Sequence, residues 1–320
     1  MKNISQRSKI IGLIILLILV VAGLMSWVYF YNQSARKDVS KSEIPTVNRR
    51  SDKKPKSAKP DKPKTSKKPD TQPKYDKSYG IFLGTNPEDF GNIKGYKVVV
   101  LDAEYFSKSQ IKQILKRNQK VYSYLNVGAL EKFRKVYPRF KQKTLGEYKE
   151  WNELWMDVSD KGWQHYITAQ ARVLADKGVD GFFIDNLDVY YHYQKPEIYN
   201  GIVKILDQIS SLKKQVMING GDVFVQRMIK NGDLRGKVHG IFQETVFTSI
   251  NFENETYGRQ NPEDKKYFQN YVERSSRYGL KVVLIEYGAS RQLAQEIKLY
   301  CTQHGFDYYL APDLKLDQTK

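Results

Sequence analysis

Four short runs of mostly apolar residues in this chain each end in a carboxylic acid side chain. The acids are Asp102, Asp185, Glu244 and Glu286. Runs of β-branched and aromatic residues of this length, bounded by turn residues, are typical of buried strands. The C-terminal ends of parallel strands form the edge at which α/β barrels and open α/β sheets place their active sites. Several acids at one such edge indicate acid–base chemistry on a neutral or cationic substrate.

Asp185 and Glu244 are the strongest candidates for a catalytic pair. The predicted strands that they end lie two apart, and side chains from alternate strands share a layer of a barrel. Glycoside hydrolysis needs two carboxyl groups flanking the scissile bond, one protonated as the acid and one ionised as nucleophile or base. Their surroundings must then separate their pKa values. The alternative for Asp185 is a structural one, as a cap of the following loop.

Other polar and aromatic side chains near the predicted strand ends could bind a sugar. Asparagine amides form hydrogen bonds with hydroxyl groups, and aromatic rings stack on the apolar faces of sugars. For Asp102 and Glu286, orienting a polar neighbour is the alternative to direct contact. The predicted substrate-binding residues are Asp102, Tyr124, Asn126, Asn186, Asp188, Tyr190, Asn219, Glu286 and Tyr287.

Other catalytic classes are not indicated. The four histidines show no metal-ligand spacing, and the only cysteine is Cys301, which excludes a disulfide, a cysteine-based zinc site and an iron–sulfur cluster. The chain has neither a Gly-x-Ser-x-Gly nucleophile motif nor a phosphate-binding loop. We therefore expect an enzyme that uses neither a metal nor a cofactor.

The elements that must position these residues alternate between strand and helix. Strand patterns occur at 79–84, 97–102, 120–127, 181–186, 215–219, 240–245, 281–287 and 306–311. Helical patterns occur at 108–118, 161–177, 197–212, 222–231, 261–278 and 290–304, with Ser107 and Ser290 as N-caps and Gly178, Gly279 and Gly305 as C-cap glycines. Eight such units predict an α/β fold, the (β/α)8 TIM barrel, over residues 77–320, with a doubly wound sheet as the alternative. Segment 129–160 is predicted to form a lid or wall over the mouth.

Residues 1–76 have a different composition. Residues 10–31 are apolar and uncharged, which predicts a transmembrane signal anchor rather than a cleaved signal peptide. Half of the net charge of +18 lies in residues 36–77, where 15 Lys or Arg residues face 6 Asp or Glu. Residues 32–76 are therefore predicted to be a disordered Lys/Pro-rich linker, and no nucleic-acid partner is expected.

These features predict the location of the protein. The basic residues at positions 1–9 favour a cytoplasmic N-terminus, which places the folded domain outside the cell membrane. A single-pass protein of a Gram-positive bacterium fits this layout. The linker is then a spacer, and a contact of it with an anionic cell-wall polymer is compatible with that role.

Five short motifs carry a resemblance to a known family. They are Tyr124-Leu-Asn-Val-Gly128, Trp155-Met-Asp157, Gly181-Phe-Phe-Ile-Asp-Asn-Leu-Asp188, Asn219-Gly220-Gly221 and Gln243-Glu244. Over roughly residues 79–313 the chain resembles glycoside hydrolase family 114, the endo-α-1,4-polygalactosaminidases. The resemblance implies a (β/α)8 barrel that hydrolyses α-1,4 links in galactosamine-rich polysaccharide, with Asp185 and Glu244 as the catalytic pair. One departure is Gly128-Ala129-Leu130-Glu131, where Gly-Glu-x-Glu is expected.

The sequence thus predicts a membrane-anchored extracellular glycoside hydrolase that acts on a surface polysaccharide. Two alternatives stay open at this point. The first is a barrel that binds polysaccharide without cleaving it, within a synthesis or export system. The second is a lyase or isomerase with a divalent ion held between Asp185, Glu244 and Glu286.

Overall fold

The computed structural model of the chain describes residues 75–317. The predicted anchor at 10–31 and all but the last two residues of the predicted linker lie outside the described residues. Within residues 75–317, no helix is both long enough and apolar enough to cross a bilayer.

Thirteen strands and eight α-helices make up the part of the chain that the structure describes. The strands are β1 (Lys77–Phe82), β2 (Tyr96–Leu101), β3 (Val121–Asn126), β4 (Ala129–Glu131), β5 (Thr144–Tyr148), β6 (Glu153–Met156), β7 (Gly181–Asp185), β8 (Gln215–Asn219), β9 (Gly240–Glu244), β10 (Thr248–Asn251), β11 (Thr256–Arg259), β12 (Lys281–Tyr287) and β13 (Asp307–Ala311). The helices are α1 (Lys108–Leu115), α2 (Tyr137–Phe140), α3 (Lys161–Lys177), α4 (Val189–His192), α5 (Pro196–Ser210), α6 (Asp222–Asn231), α7 (Pro262–Arg277) and α8 (Arg291–His304).

Eight parallel strands form one sheet that curls into a nearly closed barrel. Their order is β1-β2-β3-β7-β8-β9-β12-β13, and β13 comes back to lie beside β1. These are the eight strands predicted from the sequence, so the predicted (β/α)8 barrel is confirmed. The doubly wound sheet is excluded, because its first and last strands would lie at opposite edges.

Side chains alternate along each barrel strand between the barrel interior and the layer beneath the helices. The inward set includes Val100, Phe183, Met217, Phe242 and Ile285, which pack together inside the barrel. The intervening residues, such as Leu101, Phe182, Ile184, Ile218 and Leu284, pack in the outer core instead. Two residues beyond the five inward side chains come Asp102, Asp185, Asn219, Glu244 and Tyr287. The alternation therefore directs all five toward the open mouth.

Helix ends follow the predicted capping residues. Ser107 forms a capping box with Gln110 at the start of α1, and the Ser290 hydroxyl accepts the Leu293 N–H at the start of α8. Gly178 and Gly305 end α3 and α8 with φ of 102° and 69°. These caps fix where each chain segment turns back to the next strand.

Two insertions rise from the C-terminal ends of the barrel strands. After β3, the predicted lid or wall segment forms an antiparallel sheet in the order β4-β6-β5. After β9, the chain forms the β10–β11 hairpin, which was not predicted from the sequence. Gly128, which enters the first insertion, lies so close to the backbone oxygen of Asn186 that a Cβ atom would come within 1.7 Å of it. Only glycine fits there.

Candidate active site

A cavity of about 350 Å³ opens at the C-terminal ends of the barrel strands. Its volume is within the range of small-molecule sites. Seven of the eleven predicted site residues line it: Asp102, Tyr124, Asp185, Asn186, Asn219, Glu244 and Tyr287. The structure therefore brings both predicted catalytic acids to one place.

The amide of Asn219 bridges the two acids. Its Nδ2 donates to Asp185 Oδ1 at 2.9 Å and to Glu244 Oε1 at 2.7 Å. Because both oxygens contact one nitrogen, they lie no more than about 5.6 Å apart. Asn219 ends β8, the strand between those that carry the acids, so the register of the sheet produces this geometry.

Each acid also has donors of its own. The Tyr287 hydroxyl donates to Glu244 Oε2 at 3.0 Å. Asp185 accepts the Tyr124 hydroxyl and the backbone N–H of Asn186. Asp185 therefore has three donors and Glu244 two, which favours the negative charge of the pair on Asp185.

Burial sets the ionisation of the pair. It raises the pKa of Asp185 above the usual range, while the bonds from Asn219, Asn186 and Tyr124 oppose the rise. Burial and then the charge of Asp185 raise the pKa of Glu244 to about 7. The donor pattern and the charge of Asp185 together favour a carboxylate on Asp185 and a proton on Glu244, which is the arrangement that glycosidic bond cleavage requires.

The residue after each acid has a left-handed backbone. Asn186 has φ of 64° and Thr245 has φ of 54°. Asparagine tolerates this conformation, whereas a β-branched threonine is strained in it. The strand thus ends abruptly at the acid, and strain of this kind is concentrated at functional sites.

Glu286 does not contact the cavity, although it was predicted to bind substrate. It lies on the outward face of β12, next in sequence to the inward Tyr287, and is completely buried. Its carboxylate accepts the backbone N–H groups of Phe247 and Thr248 and the Thr248 hydroxyl. Burial raises its pKa to about 7. Glu286 is therefore a positioning residue that holds the loop after Glu244.

Two further predicted contacts, Asn126 and Asp188, lie beside the cavity rather than in its lining. Asn126 accepts the Ala129 N–H through Oδ1 and donates to Glu153, so it fixes the first insertion. Asp188 accepts the Gly221 N–H at 3.1 Å and supports the turn after Asn219.

Tyr190 turns away from the mouth. It lies on α4, and its ring packs against Tyr199 and Phe224 in the outer core. The short helix that follows Asp188 rotates this ring toward the neighbouring helices, which the sequence position alone did not reveal.

The first insertion supplies an ion network that was not predicted from the sequence. Arg134 donates to Asp102 at 2.7 Å, to Glu104 at 2.9 Å and to Glu131 at 2.6 Å. Its side chain is only 9% exposed. Three carboxylates around one guanidinium leave this wall of the cavity with a net negative charge.

Glu153 is a third carboxyl group close to the predicted catalytic pair. It lies directly opposite Glu131 in the β4–β6 ladder and receives a bond from Asn126 at 3.3 Å. Burial, then Glu131 and then Asp185 raise its pKa to about 8. The pair of Glu131 and Glu153 is unusual, because like charges in directly opposed positions destabilise a ladder.

The carboxyl groups of the cavity are not arranged as a metal site. In the described part of the chain, no group of three or more His, Cys, Asp or Glu side chains is placed to hold a metal ion.

Comparison with known proteins places this site in a family. Residues 60–319 match the glycoside-hydrolase family GH114. The chain belongs to family GH114. It is therefore a glycoside hydrolase, as the resemblance implied, and the cavity lined by acids is the expected place for that chemistry. A search of curated protein sequences gave no match.

Solved structures share the fold of this GH114 chain. The glycoside hydrolase domain of PelA from Pseudomonas aeruginosa is 16% identical, with a TM-score of 0.64 over 75% of this chain and 96% of that domain. Aspergillus fumigatus Ega3, solved in complex with galactosamine, is 15% identical, with a TM-score of 0.59 over 78% and 96%. At these identities the likeness establishes the barrel fold.

Proposed function

We propose that this GH114 enzyme hydrolyses α-1,4 links in a galactosamine-containing or related cell-surface polysaccharide, with retention of configuration. Asp185 is the nucleophile and Glu244 is the acid/base. The observation that carries the proposal is the single Asn219 amide that bridges both carboxyl groups.

The spacing of the two acids favours retention. Retaining glycosidases hold their carboxyl groups about 5–5.5 Å apart, whereas inverting enzymes need about 6.5–9.5 Å to admit a water molecule. The bridged oxygens lie no more than about 5.6 Å apart, which is nearer to the retaining range than to the inverting range.

The donor pattern favours the assignment of roles. Asp185 attacks the anomeric carbon while Glu244 transfers its proton to the departing glycosidic oxygen, which leaves a sugar ester on Asp185. Glu244, now ionised, takes a proton from water, and the resulting hydroxide attacks the same carbon and releases Asp185. The first step starts from the protonation states that burial and hydrogen bonds favour. Once Asp185 is esterified, its charge no longer raises the pKa of Glu244, which eases the ionised state that the second step needs.

The charge of the cavity supports an amino-sugar substrate. The lining includes the five acids Asp102, Glu131, Glu153, Asp185 and Glu244, with Arg134 as its one basic residue. An ammonium group on the sugar would be attracted to this surface. The galactosamine complex of Ega3 is consistent with this substrate class.

The N-terminal sequence supports an extracellular location. An anchor at 10–31 followed by the basic linker at 32–76 would hold the barrel outside the membrane of a Gram-positive cell, near an anionic wall polymer. Attachment to isolated membranes that resists high salt but not detergent would support the anchor. Release by salt alone would contradict it.

The test of the function is polymer cleavage by the full-length protein beside Asp185→Asn and Glu244→Gln. Substrates are α-1,4-galactosamine polymer and partly acetylated forms, with and without a chelator, and NMR follows the anomeric configuration of the first product. We expect α product from wild type and loss of at least about 10³-fold in rate in each variant. Initial β product would contradict retention. Polymer binding without cleavage would favour the binding-only barrel, and inhibition by chelator would favour a metal-dependent lyase or isomerase.

A further inference from the structure

Exposed aromatic rings are concentrated around the mouth of the cavity. In the described part of the chain, the seven most exposed large hydrophobic side chains are Tyr105, Phe133, Trp151, Val173, Phe252, Tyr278 and Leu299. Tyr105, Phe133 and Trp151 line the cavity, and Phe252 contacts Trp151. Exposed apolar surface that collects at one cavity marks a binding region.

Trp151 and Phe252 form a pair that is half open to solvent. Their ring centroids are 5.7 Å apart and their planes meet at 77°, an edge-to-face contact. Each side chain remains 43% exposed. The core of the protein therefore does not require this contact, and two large apolar surfaces stay in water.

The pair joins two insertions from opposite sides of the mouth. Trp151 ends the turn between β5 and β6 in the insertion after β3, and Phe252 lies at the tip of the β10–β11 hairpin after β9. In the barrel, β7 and β8 lie between β3 and β9. These two strands carry Asp185 and Asn219. The ring contact thus spans the side of the mouth above the catalytic centre.

We propose that Trp151 and Phe252 are an aromatic clamp for the polysaccharide, a specificity-determining pair beyond the catalytic centre. The rings separate as the chain enters and then stack on the sugars beside the scissile linkage. This inference rests on the proposed polysaccharide substrate.

The physical chemistry of the pair suits this role. An edge-to-face contact between two exposed rings is weak, so an arriving polymer can replace it. Sugars present apolar C–H faces that stack on such rings, and this recovers the apolar surface that the free clamp leaves in water. A buried ring pair could do neither without loss of packing.

Tryptophan fluorescence gives a direct test of contact. Trp155 and Trp163 are only 3% and 2% exposed, so Trp151 is the accessible indole among the described residues. The full-length Glu244→Gln protein is titrated with α-1,4-galactosamine polymer while acrylamide quenching is measured, and the Trp151→Phe version of that protein gives the background. We expect bound polymer to reduce the Trp151 contribution to quenching by about half, because a stacked sugar covers one ring face.

Kinetics separate a clamp from a structural contact. Trp151→Ala and Phe252→Ala should each raise KM for the polymer about 3- to 10-fold and change kcat less than about 2-fold. The double variant should show less than the product of the two effects, since the rings touch. Hydrolysis of a small aryl galactosaminide should be affected less than hydrolysis of the polymer, because the small substrate covers less of the two rings. Tyr278→Ala is the control, because this exposed ring precedes β12 at the opposite end of the barrel.

The outcomes are distinct. The clamp would be overturned if wild type cleaves the polymer but the polymer leaves the quenching of Trp151 unchanged in the Glu244→Gln protein. It would also be overturned if Trp151→Ala and Phe252→Ala lower the thermal stability without changing KM. In both cases the hydrolase function would stand. Failure to bind or cleave every polymer would overturn the proposed substrate and the clamp together. Protection of Trp151 with a KM effect absent from Tyr278→Ala would support the clamp.

Discussion

Replacement of Asn219 by leucine should move the pH optimum of the enzyme rather than abolish its activity. Among the described residues, only the Asn219 amide donates hydrogen bonds to both proposed catalytic acids, Asp185 and Glu244. Its Oδ1 is buried without a hydrogen-bond partner among the described residues, so the side chain contributes through Nδ2 alone. Leucine has a similar volume and removes those two bonds without opening a large cavity.

The magnitude follows from the two bonds. A hydrogen bond to a charged acceptor contributes about 1.5–3 kcal/mol and one to a neutral acceptor about 0.5–1.5 kcal/mol. The difference of about 1–1.5 kcal/mol corresponds to about one pKa unit for each acid. A donor stabilises the ionised form, so its loss raises both pKa values. The lost charge stabilisation itself should change kcat little, since negative charge moves from Asp185 to Glu244 during the first step and the amide contacts both.

The assay is kcat/KM against pH for wild type and Asn219→Leu. In the proposed mechanism the active form has Asp185 ionised and Glu244 protonated. The acidic limb then reports Asp185 and the basic limb reports Glu244, near pH 7 in wild type. We expect both limbs to move up by about one pH unit, while the maximal rate falls about 10-fold through lost positioning.

A matched control is Asn118→Leu. Asn118 is 1% exposed and accepts the Tyr96 N–H while it donates to the Ile93 carbonyl, away from the cavity. This variant should lose thermal stability with an unchanged pH profile. If Asn219→Leu loses rate with both limbs in place, the bridge does not set the ionisation of the acids and our reasoning is refuted.

Three further predictions concern stability and pH. Glu286→Ala should lower the free energy of unfolding by about 2–4 kcal/mol in urea titrations, because buried donors lose their acceptor; a change below about 1 kcal/mol would contradict the positioning role. Thr245→Gly should raise the free energy of unfolding by about 1 kcal/mol, because glycine removes the strain of the left-handed backbone, and it should lower kcat. A loss of stability would show that threonine is not strained there. The pKa of Glu153 is raised to about 8 in the folded protein. The contribution of Glu153 to folding stability is therefore fully present below its usual pKa and is lost as the pH rises to about 8. The melting temperature of Glu153→Gln should therefore exceed that of wild type at pH 9 but not at pH 4. An equal difference in melting temperature at both pH values would count against this explanation.

The barrel was predictable because its signals are local. Each of the eight strands is an apolar run bounded by glycine or polar residues, and caps such as Ser107 and Ser290 mark helix starts. The meeting of Asp185 and Glu244 at the mouth was predictable for the same reason, since each acid ends its own strand. Strand alternation could also have placed Glu286 outside the cavity, because it is out of phase with the inward Ile285 and Tyr287.

The rest of the site depends on distant contacts. Arg134, Trp151 and Glu153 belong to an insertion whose antiparallel pairing brings them over the mouth, and none stands at the end of a barrel strand. Tyr190, in contrast, was predicted to bind substrate but packs away from the cavity. It follows Asp185 closely in sequence, yet the direction of its ring depends on how α4 packs against two other helices.

The residues after β13 affect how this protein should be handled at the bench. Leu314 and Leu316 form part of the cavity wall, and they are held by the Tyr257 hydroxyl, which accepts the Leu314 N–H, and by the Gly84 N–H, which donates to Leu316. An affinity tag or fusion partner joined directly after Leu316 would begin at that wall. Purification handles and surface immobilisation are therefore better attached on the N-terminal side of Lys77, which starts β1 at the end of the barrel away from the cavity.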